Sequence, residues 1–289
     1  MIRLFTSIFK KLIKFKCSVV NTLACSGQDF TSGRNFLQAS MNRAQNNFKT
    51  EKKMLKLSSL VFCAVVLAVL NILAISFLSP IPMRSVRLIS TCLFLIYYTF
   101  FISGRNKYVV AILIALVARD FFYIHYEKDD YDYYFFAFSI LSYILLLIKQ
   151  WRKLIKYKFQ TPSLLVGALL TFAFAFMLVQ FEEIASPEFR EPELTYPFYV
   201  FGSVVIALLL SSLYYYYRVG SRRSIIFCFL AYSWLITDVA SCFAYYVSVY
   251  EMYYLERIAY VASLFLLINY GLNTGLLDRE RKHSIEYSE

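Results

Sequence analysis

The sequence predicts an all-α fold: a polytopic membrane bundle of eight transmembrane helices with both termini on the cytoplasmic side. Apolar residues make up 59% of the 289 residues and charged residues only 17%. Together with a mean hydropathy of +0.54, this composition lies well outside the usual range of a soluble domain. The apolar residues also fall into runs long enough to cross a bilayer, and basic residues collect in alternate loops between those runs.

Eight stretches approach the roughly 20 apolar residues that a helix needs to cross the hydrocarbon core. They follow a polar first fifth of the chain and are joined by short connections, which leaves no room for a separate soluble domain between them. Together they define a membrane domain over residues 56–277. The predicted spans are residues 58–79, 86–103, 108–126, 132–150, 162–181, 196–217, 224–248 and 252–276.

The charges of the loops give the orientation of the spans. Basic residues dominate the segment before span one, every second loop after it and the C-terminal tail, whereas acidic residues dominate the other loops. Because positive loops mark the cytoplasmic side, this alternation requires an even number of spans and two cytoplasmic termini. Arg84 and Arg87, near the predicted start of span two, run against the pattern.

The net charge of +11 is explained by basic groups that border the spans and face anionic lipid headgroups. We therefore expect no nucleic-acid partner. The predicted location is an integral, multi-pass position in the membrane, which in a bacterial cell would be the inner or plasma membrane.

Residues 1–55 form a basic leader of different composition. Apolar residues at helical spacing, with lysines and an arginine on the other side, are typical of a short helix that lies on the membrane surface. Residues 26–53 are polar and show no periodic pattern, which predicts disorder. The alternative is that translation starts at Met54 and that the preceding segment is not made. Residues 278–289 form a short polar tail.

The cysteine and histidine patterns predict neither a disulfide nor a metal site. The six cysteines show no CxxC spacing, and His125 and His283 are far apart. The sequence also has no P-loop, no glycine-rich dinucleotide fingerprint and no Gly-x-Ser-x-Gly elbow, which weighs against nucleotide chemistry and serine hydrolysis. We expect no cofactor.

Two aspartates lie deep inside apolar spans and are the main candidate functional groups. Asp120 lies in span three and Asp238 in span seven, where an ionisable group is costly and usually marks a pathway or a site. Both spans run outward, which places the two residues roughly 18 and 20 Å from the cytoplasmic edge at about 1.5 Å per residue. The two carboxyls are therefore expected at one level, in the half of the bilayer away from the cytoplasm.

Arg119 is adjacent to Asp120 and shares the cost of burying it. Two carboxylates and one guanidinium leave one surplus negative charge, so one aspartate is expected to hold a proton near neutral pH. Such a pair supplies an acid and a base in one site. The alternative is a buried Arg-Asp pair that only fixes helix packing. That structural role is the stronger interpretation for Glu256 and Arg257, where the arginine would reach water at the outer end of span eight.

The chain resembles the YhhN family of eight-span membrane proteins, which includes the animal lysoplasmalogenases. The Gly-Asp of the family's third span corresponds to Arg119-Asp120, and the Ser-Asp of its seventh span corresponds to Thr237-Asp238. The likeness covers about residues 56–277 and excludes the basic leader. Span count, orientation and the placement of both aspartates agree with the family.

The chain also departs from the family pattern. A Tyr and a Gln four residues apart in the family's last span fall on Phe265 and Asn269, and a histidine that many members carry late in span four falls on Leu147. The fold that the resemblance implies is less affected by these changes than the activity is.

If the activity is retained, the resemblance implies hydrolysis of the vinyl-ether bond of a lysoplasmalogen, with release of a fatty aldehyde and a glycerophospho-alcohol. In this chemistry a protonated carboxylic acid donates a proton to carbon, while an ionised partner stabilises the cation and activates water. Asp120, held by Arg119, is then the ionised group and Asp238 the acid, although the reverse assignment also fits. The candidate substrate-binding residues, from helical spacing and from the resemblance, are Tyr123, Trp234, Thr237, Ser241 and Asn269.

Two other functions stay open for a family member that has lost catalysis. A proton or small-molecule carrier would use the two carboxylates and the arginine as a relay, although the sequence shows no internal repeat and few interruptions inside spans. A membrane scaffold would present the leader and tyrosine-rich edges to partners. The hydrolase interpretation implies a membrane lipid with a single chain, a lysophospholipid or an ether lipid, as the substrate.

Overall fold

A computed structural model describes residues 58–102, 106–127, 131–154, 161–189 and 191–272. Within these ranges the chain is helical and has no strand. Eight long helices follow one another, and two short 3-10 turns, Ser186–Glu188 and Pro192–Leu194, join the fifth to the sixth. The helices are α1 (Ser58–Phe77), α2 (Pro80–Phe101), α3 (Lys107–Ile124), α4 (Tyr131–Leu154), α5 (Thr161–Ala185), α6 (Thr195–Val219), α7 (Arg222–Tyr246) and α8 (Met252–Leu272).

Each predicted span coincides with one of these helices. The largest difference is at α2, which begins at Pro80 and not near residue 86. Proline suits the first turn of a helix because its missing N–H would have no partner there, and Ser79 before it has an extended backbone. As a result, Arg84 and Arg87 lie inside a helix. The surface helix predicted in the leader, the disorder predicted for residues 26–53, the possible start at Met54 and the polar tail all lie outside the described residues.

Six of the helices, α1 and α4 to α8, are long and apolar enough to cross a membrane. The described part of the chain is therefore all-helical, with the repeated apolar helices of a multi-pass membrane protein. The other two, α2 and α3, contain ionisable residues within their apolar sequence, namely Arg84, Arg87, Lys107, Arg119 and Asp120.

The exposed side chains of α5 show which environment the apolar helices require. No residue in the most hydrophobic part of its apolar stretch, Leu165–Ala185, is buried inside the protein. Leu165, Leu169 and Phe172 are 72%, 67% and 75% exposed. Side chains of this kind all around a helix belong next to hydrocarbon, because in water such a surface would aggregate.

The helices pack into one continuous apolar core. α3 packs between α2 and α4, α6 contacts α4, α5 and α7, and α8 lies against α7 and reaches α2. Large side chains fill the centre, among them Phe94, Leu116, Tyr143, Trp234 and Leu264. A smaller cluster around Phe136 and Phe198 closes the end at which the 3-10 turns lie. This arrangement brings the second half of α3 next to the first halves of α2 and α8.

A buried amide ties α1 to this bundle. Asn71 is 1% exposed, and its Nδ2 donates to the backbone oxygen of Leu67 and to Ser90 Oγ of α2, each at 2.8 Å. In an apolar environment both donors need these acceptors, so the pairing sets the position of α1 along α2.

We predict that Asn71→Ala lowers the free energy of unfolding by about 1 kcal/mol, because a buried interhelical hydrogen bond between membrane helices is worth roughly that amount. Ser85→Ala is the matched control, since the Ser85 hydroxyl bonds only to Ile81 of its own helix. Unfolding of the purified protein in mixed micelles measures both variants. Equal stability of the two variants would contradict the role of Asn71.

Candidate functional site

Asp120, on α3, is fully buried and its carboxylate is surrounded by donors. Oδ1 accepts from Arg87 Nε and from Arg119 Nη2, each at 3.1 Å. Oδ2 accepts from Thr91 Oγ1 at 2.5 Å and from the hydroxyl of Tyr260. Two guanidinium groups and two hydroxyls compensate the buried charge, so this environment suits an ionised carboxylate.

Arg87 connects three helices. From α2, its Nε contacts Asp120 of α3 while its Nη1 pairs with Glu256 of α8. Glu256 is 0% exposed and Arg257 is 1% exposed, with Arg257 Nε 3.2 Å from the second carboxylate oxygen of Glu256. The expectation that Arg257 reaches water at the end of a span is therefore wrong. Arg87 provides a buried countercharge for Glu256, and Arg257 lies against that carboxylate inside the protein.

The charge count from the sequence was incomplete because it left out Arg87. It included one guanidinium, Arg119, but Arg87 also contacts Asp120 directly. A surplus of negative charge is thus not a reason for either aspartate to hold a proton.

The sequence did indicate that Arg87 faces other helices, but among the loop charges this residue was treated only as an exception to the loop pattern. Arg84 and Arg87 are three residues apart within an apolar run, and Thr91 follows four residues later, which places all three on one face of a helix. Arginines on the inner face of a span need acidic partners on neighbouring spans. Arg84 makes a two-pronged contact with Glu127, at 2.6 and 2.8 Å.

The Arg84–Glu127 ion pair lies just beyond the end of α3. The side chain of Glu127 is 51% exposed, so water shares its charge. Partial burial acts to raise the pKa of Glu127, but the hydrogen bonds and positive charge of Arg84 outweigh it and hold this pKa below its usual range.

Tyrosine rings surround the arginine side chains. The guanidinium carbon of Arg87 lies 4.1 Å from the ring centroid of Tyr260 and 4.9 Å from that of Tyr123. Such contacts stabilise a cation that has left water. The hydroxyl of Tyr123 is buried and has no hydrogen-bond partner among the described residues, so it has a donor to offer.

Asp238, on α7, has a different environment. Tyr143 Oη of α4 donates to Oδ2 of Asp238 at 2.6 Å, and the Tyr143 ring stacks on Trp234 with a centroid distance of 4.5 Å. Asp238 is partly exposed, whereas Asp120 is 0% exposed. The two carboxyls therefore differ in access to small molecules.

Two small cavities meet at Asp238. One, of about 120 Å³, lies between α5, α6 and α7 and has an almost entirely apolar lining that includes Leu178 and Leu209. The other, of about 60 Å³, has a more polar wall that includes Arg87. Asp238 lines both, together with Phe198, Phe201 and Cys242. Asp120 lines neither of these two cavities. It contacts Arg87, which lines the polar one.

The structure does not bring all of the predicted site residues together. The polar cavity contains Asp238 together with Tyr123, Thr237 and Ser241. Arg119 and Asp120 belong to the ion-pair network, and Trp234 supports Tyr143. Asn269 lies on α8, partly buried, and lines neither cavity. In the part of the chain that the structure describes, no three His, Cys, Asp or Glu side chains are grouped to hold a metal ion.

Comparison of the chain with models of protein families, with curated proteins and with solved structures finds no match. The resemblance to the YhhN family therefore rests on the span pattern and on the positions of the two aspartates, and it stays a prediction.

We predict that Arg87→Met destabilises the protein by about 3–5 kcal/mol. Glu256 and Asp120 would each lose one charged partner and stay buried. Arg84→Met should cost much less, since Glu127 is half exposed and water can replace its partner. Unfolding in mixed micelles measures the difference.

A second change makes this test specific to charge. Adding Glu256→Gln to Arg87→Met removes one of the two carboxylates that lost a partner, so the loss in the double variant should be smaller than the sum of the two single losses. Additive losses in the double variant would show that packing, and not pairing, accounts for the effect of Arg87.

Proposed function

We propose that the protein hydrolyses single-chain ether phospholipids within the membrane, with Asp238 as the residue that exchanges protons with the substrate. The observation that carries this proposal is the position of Asp238 where an apolar cavity and a polar cavity meet. A lipid with one chain has the same division, because its chain and its polar headgroup join at the ether bond.

The proposal includes the topology that the loop charges predict, with eight crossings and both termini on the cytoplasmic side. The six strongly apolar helices support it, and so do the compensated charges of α2 and α3, since paired ions are far less costly in a membrane. Asp120, Asp238 and Glu256 all lie toward the acidic end of the bundle. A lipid would therefore enter from the outer leaflet.

The apolar cavity suits the part of the chain next to the ether. Its volume of about 120 Å³ is small, equal to about four water molecules at ~30 Å³ each. The rest of the chain would lie along the exposed apolar surface of α5, which borders this cavity through Phe174 and Met177. A substrate held in this way does not leave the hydrocarbon.

The polar cavity, at about 60 Å³, is too small for a whole glycerophosphate and suits only the part of it next to the ether bond. Arg87 brings guanidinium N–H groups to its wall, and Tyr123, Thr237 and Ser241 bring hydroxyl groups. A guanidinium is a good partner for phosphate oxygens. These groups would fix the headgroup and present the vinyl ether to Asp238.

The chemistry needs one group that can both give and accept a proton. Protonated Asp238 donates to the carbon of the double bond that does not carry oxygen, and the electron pair of the double bond forms the new C–H bond. Water then adds to the resulting oxocarbenium and returns a proton to the Asp238 carboxylate. The hemiacetal breaks its C–O bond to the glycerol oxygen, which releases the aldehyde and the free alcohol.

In this scheme Asp120 is a positioning residue. It holds Arg87 at the cavity wall and compensates the charges of Arg87 and Arg119. Tyr143 orients Asp238 through its hydroxyl. The roles thus differ from an arrangement in which both carboxylates touch the substrate.

A carrier or scaffold function is the second candidate, and the observation that favours it is the number of buried ion pairs. Arg87 pairs with two carboxylates on two other helices, an arrangement that a proton relay or a purely structural network would share.

We predict that Asp238→Asn lowers aldehyde release from a lysoplasmalogen by about 10²–10⁴-fold, the usual contribution of a general acid and base. Tyr143→Phe should lose less, because it removes one hydrogen bond to Asp238 and keeps the ring on Trp234. Glu251→Gln, which removes an exposed carboxylate, is the control and should retain full activity. The measurement is aldehyde release by the purified protein in detergent.

Other outcomes separate the alternatives. Release of fatty acid from a lysoacyl lipid with no aldehyde from the ether lipid would contradict the proposed bond. Proton flux in liposomes that Asp238→Asn abolishes, without hydrolysis, would favour the carrier. Neither activity in a folded protein would favour the scaffold.

A further inference from the structure

Leu178 of α5 lies directly against the backbone of Gly202 on α6. A Cβ atom built on Gly202 would lie 2.3, 2.7 and 3.0 Å from three carbon atoms of the Leu178 side chain. Carbon atoms in contact normally lie about 3.5–4.0 Å apart, so only glycine fits at position 202 while Leu178 keeps its place. The absence of a side chain on α6 therefore gives Leu178 the space that it occupies.

The direction of Leu178 is set by this contact and not by the lipid around α5. Phe174, Leu178 and Phe181 are partly buried and are spaced four and three residues apart, which places them on one face of the helix. Met177 and Val179, on either side of Leu178 in the chain, are 47% and 41% exposed. Leu178 thus belongs to the face of α5 that packs against the bundle.

Leu178 and Gly202 both line the apolar cavity of about 120 Å³ that Asp238 also lines. An apolar cavity of about 150 Å³ is large enough to admit benzene. The cavity beside Asp238 lies just below that size, so it suits a straight methylene chain better than a ring. Truncation of Leu178 to alanine removes three carbon atoms from the wall and would take the cavity above that size.

The α6 side of the cavity is less free to change. Val205 and Leu209 line it and are 7% and 1% exposed, and both belong to the main apolar core. Leu178 comes instead from a helix whose most hydrophobic part has no buried residue. The width of the cavity on this side therefore depends on where Leu178 lies above Gly202.

We infer that Leu178, seated on Gly202, restricts the lipid site to a chain that is straight and unbranched next to its ether bond. The inference rests on the proposed function for the identity of the chain in this cavity. It assigns to Leu178 a role in specificity, because Leu178 shapes the wall and takes no part in proton transfer. Asp238 keeps the chemical role.

Binding of lipids that do not react tests this inference apart from the reaction. The two probes are lysophosphatidylcholines with a saturated ether, which has no double bond to protonate. One has a straight hexadecyl chain, and the other has a phenylene ring close to the ether bond and is matched in overall length. The purified full-length protein in detergent is mixed with equal amounts of both, and native mass spectrometry gives the ratio of the two bound lipids.

We expect the unmodified protein to bind the straight chain about tenfold more than the chain with the ring, a usual effect of a misfit in an apolar pocket. Leu178→Ala should abolish this preference. Leu169→Ala removes the same atoms from an exposed position of α5 that does not line the cavity, so it should keep the preference. Leu178→Val removes one carbon atom and should reduce the preference by a smaller factor, which provides the test if the alanine variant does not fold.

Gly202 provides an independent test. Gly202→Ala places a methyl group where Leu178 now lies, so it should displace Leu178 and lower the stability of the protein in mixed micelles. Gly167→Ala is the matched control, because a Cβ atom there meets no other atom within 4 Å. In the Leu178→Ala background, Gly202→Ala has room and fills part of the opened space. The double variant should therefore regain part of the preference for the straight chain.

Equal binding of the two lipids by the unmodified protein would overturn the inference, as would a preference that Leu178→Ala and Leu178→Val leave unchanged. Aldehyde release from the straight-chain vinyl ether tests the hydrolase proposal separately. No aldehyde together with a preference that depends on Leu178 would contradict the hydrolase and support the role of Leu178 in binding. Aldehyde release without that preference would contradict only the role of Leu178.

Discussion

The pairing of Arg87 with Asp120 and Glu256 is the interaction on which the rest of the structure depends. Each of these groups would be very costly alone in hydrocarbon, and one guanidinium can satisfy both carboxylates only if α2, α3 and α8 meet at one level. Apolar packing allows helices to slide past one another at little cost, but a buried ion pair does not. The network therefore sets the register of three helices, and the other helices pack around them.

The same network makes Asp120 and Asp238 chemically unequal. Asp120 has donors on both oxygens and no exposed surface, which is suited to a permanent charge. Asp238 has a hydroxyl donor from Tyr143 and faces two cavities. Environments that separate the properties of two acids are the usual origin of distinct roles. Here the separation comes from the two guanidinium groups and two hydroxyls around Asp120, compared with the hydroxyl of Tyr143 at Asp238.

Helix α5 accounts for the open spaces in the bundle. It is apolar along its length, and its most hydrophobic window has no residue buried against the rest of the protein. It borders the apolar cavity with the segment around Leu178. A helix that packs loosely leaves gaps beside it.

Within the residues that the structure describes, the sequence by itself determined the helical class, the number of long helices and most of their bounds, because runs of apolar residues respond to the thickness of a bilayer and not to the details of packing. It also identified Asp120 and Asp238, since ionisable residues inside such runs are rare. It did not determine which residues the buried charged groups contact. Arg87 and Glu256 are far apart in the chain, and only the packing of α2 against α8 brings them together. That Asp238 and not Asp120 lines the cavities was likewise decided by the tertiary structure, because depth in a span follows from counting residues, but the direction in which a side chain faces depends on which neighbours surround it.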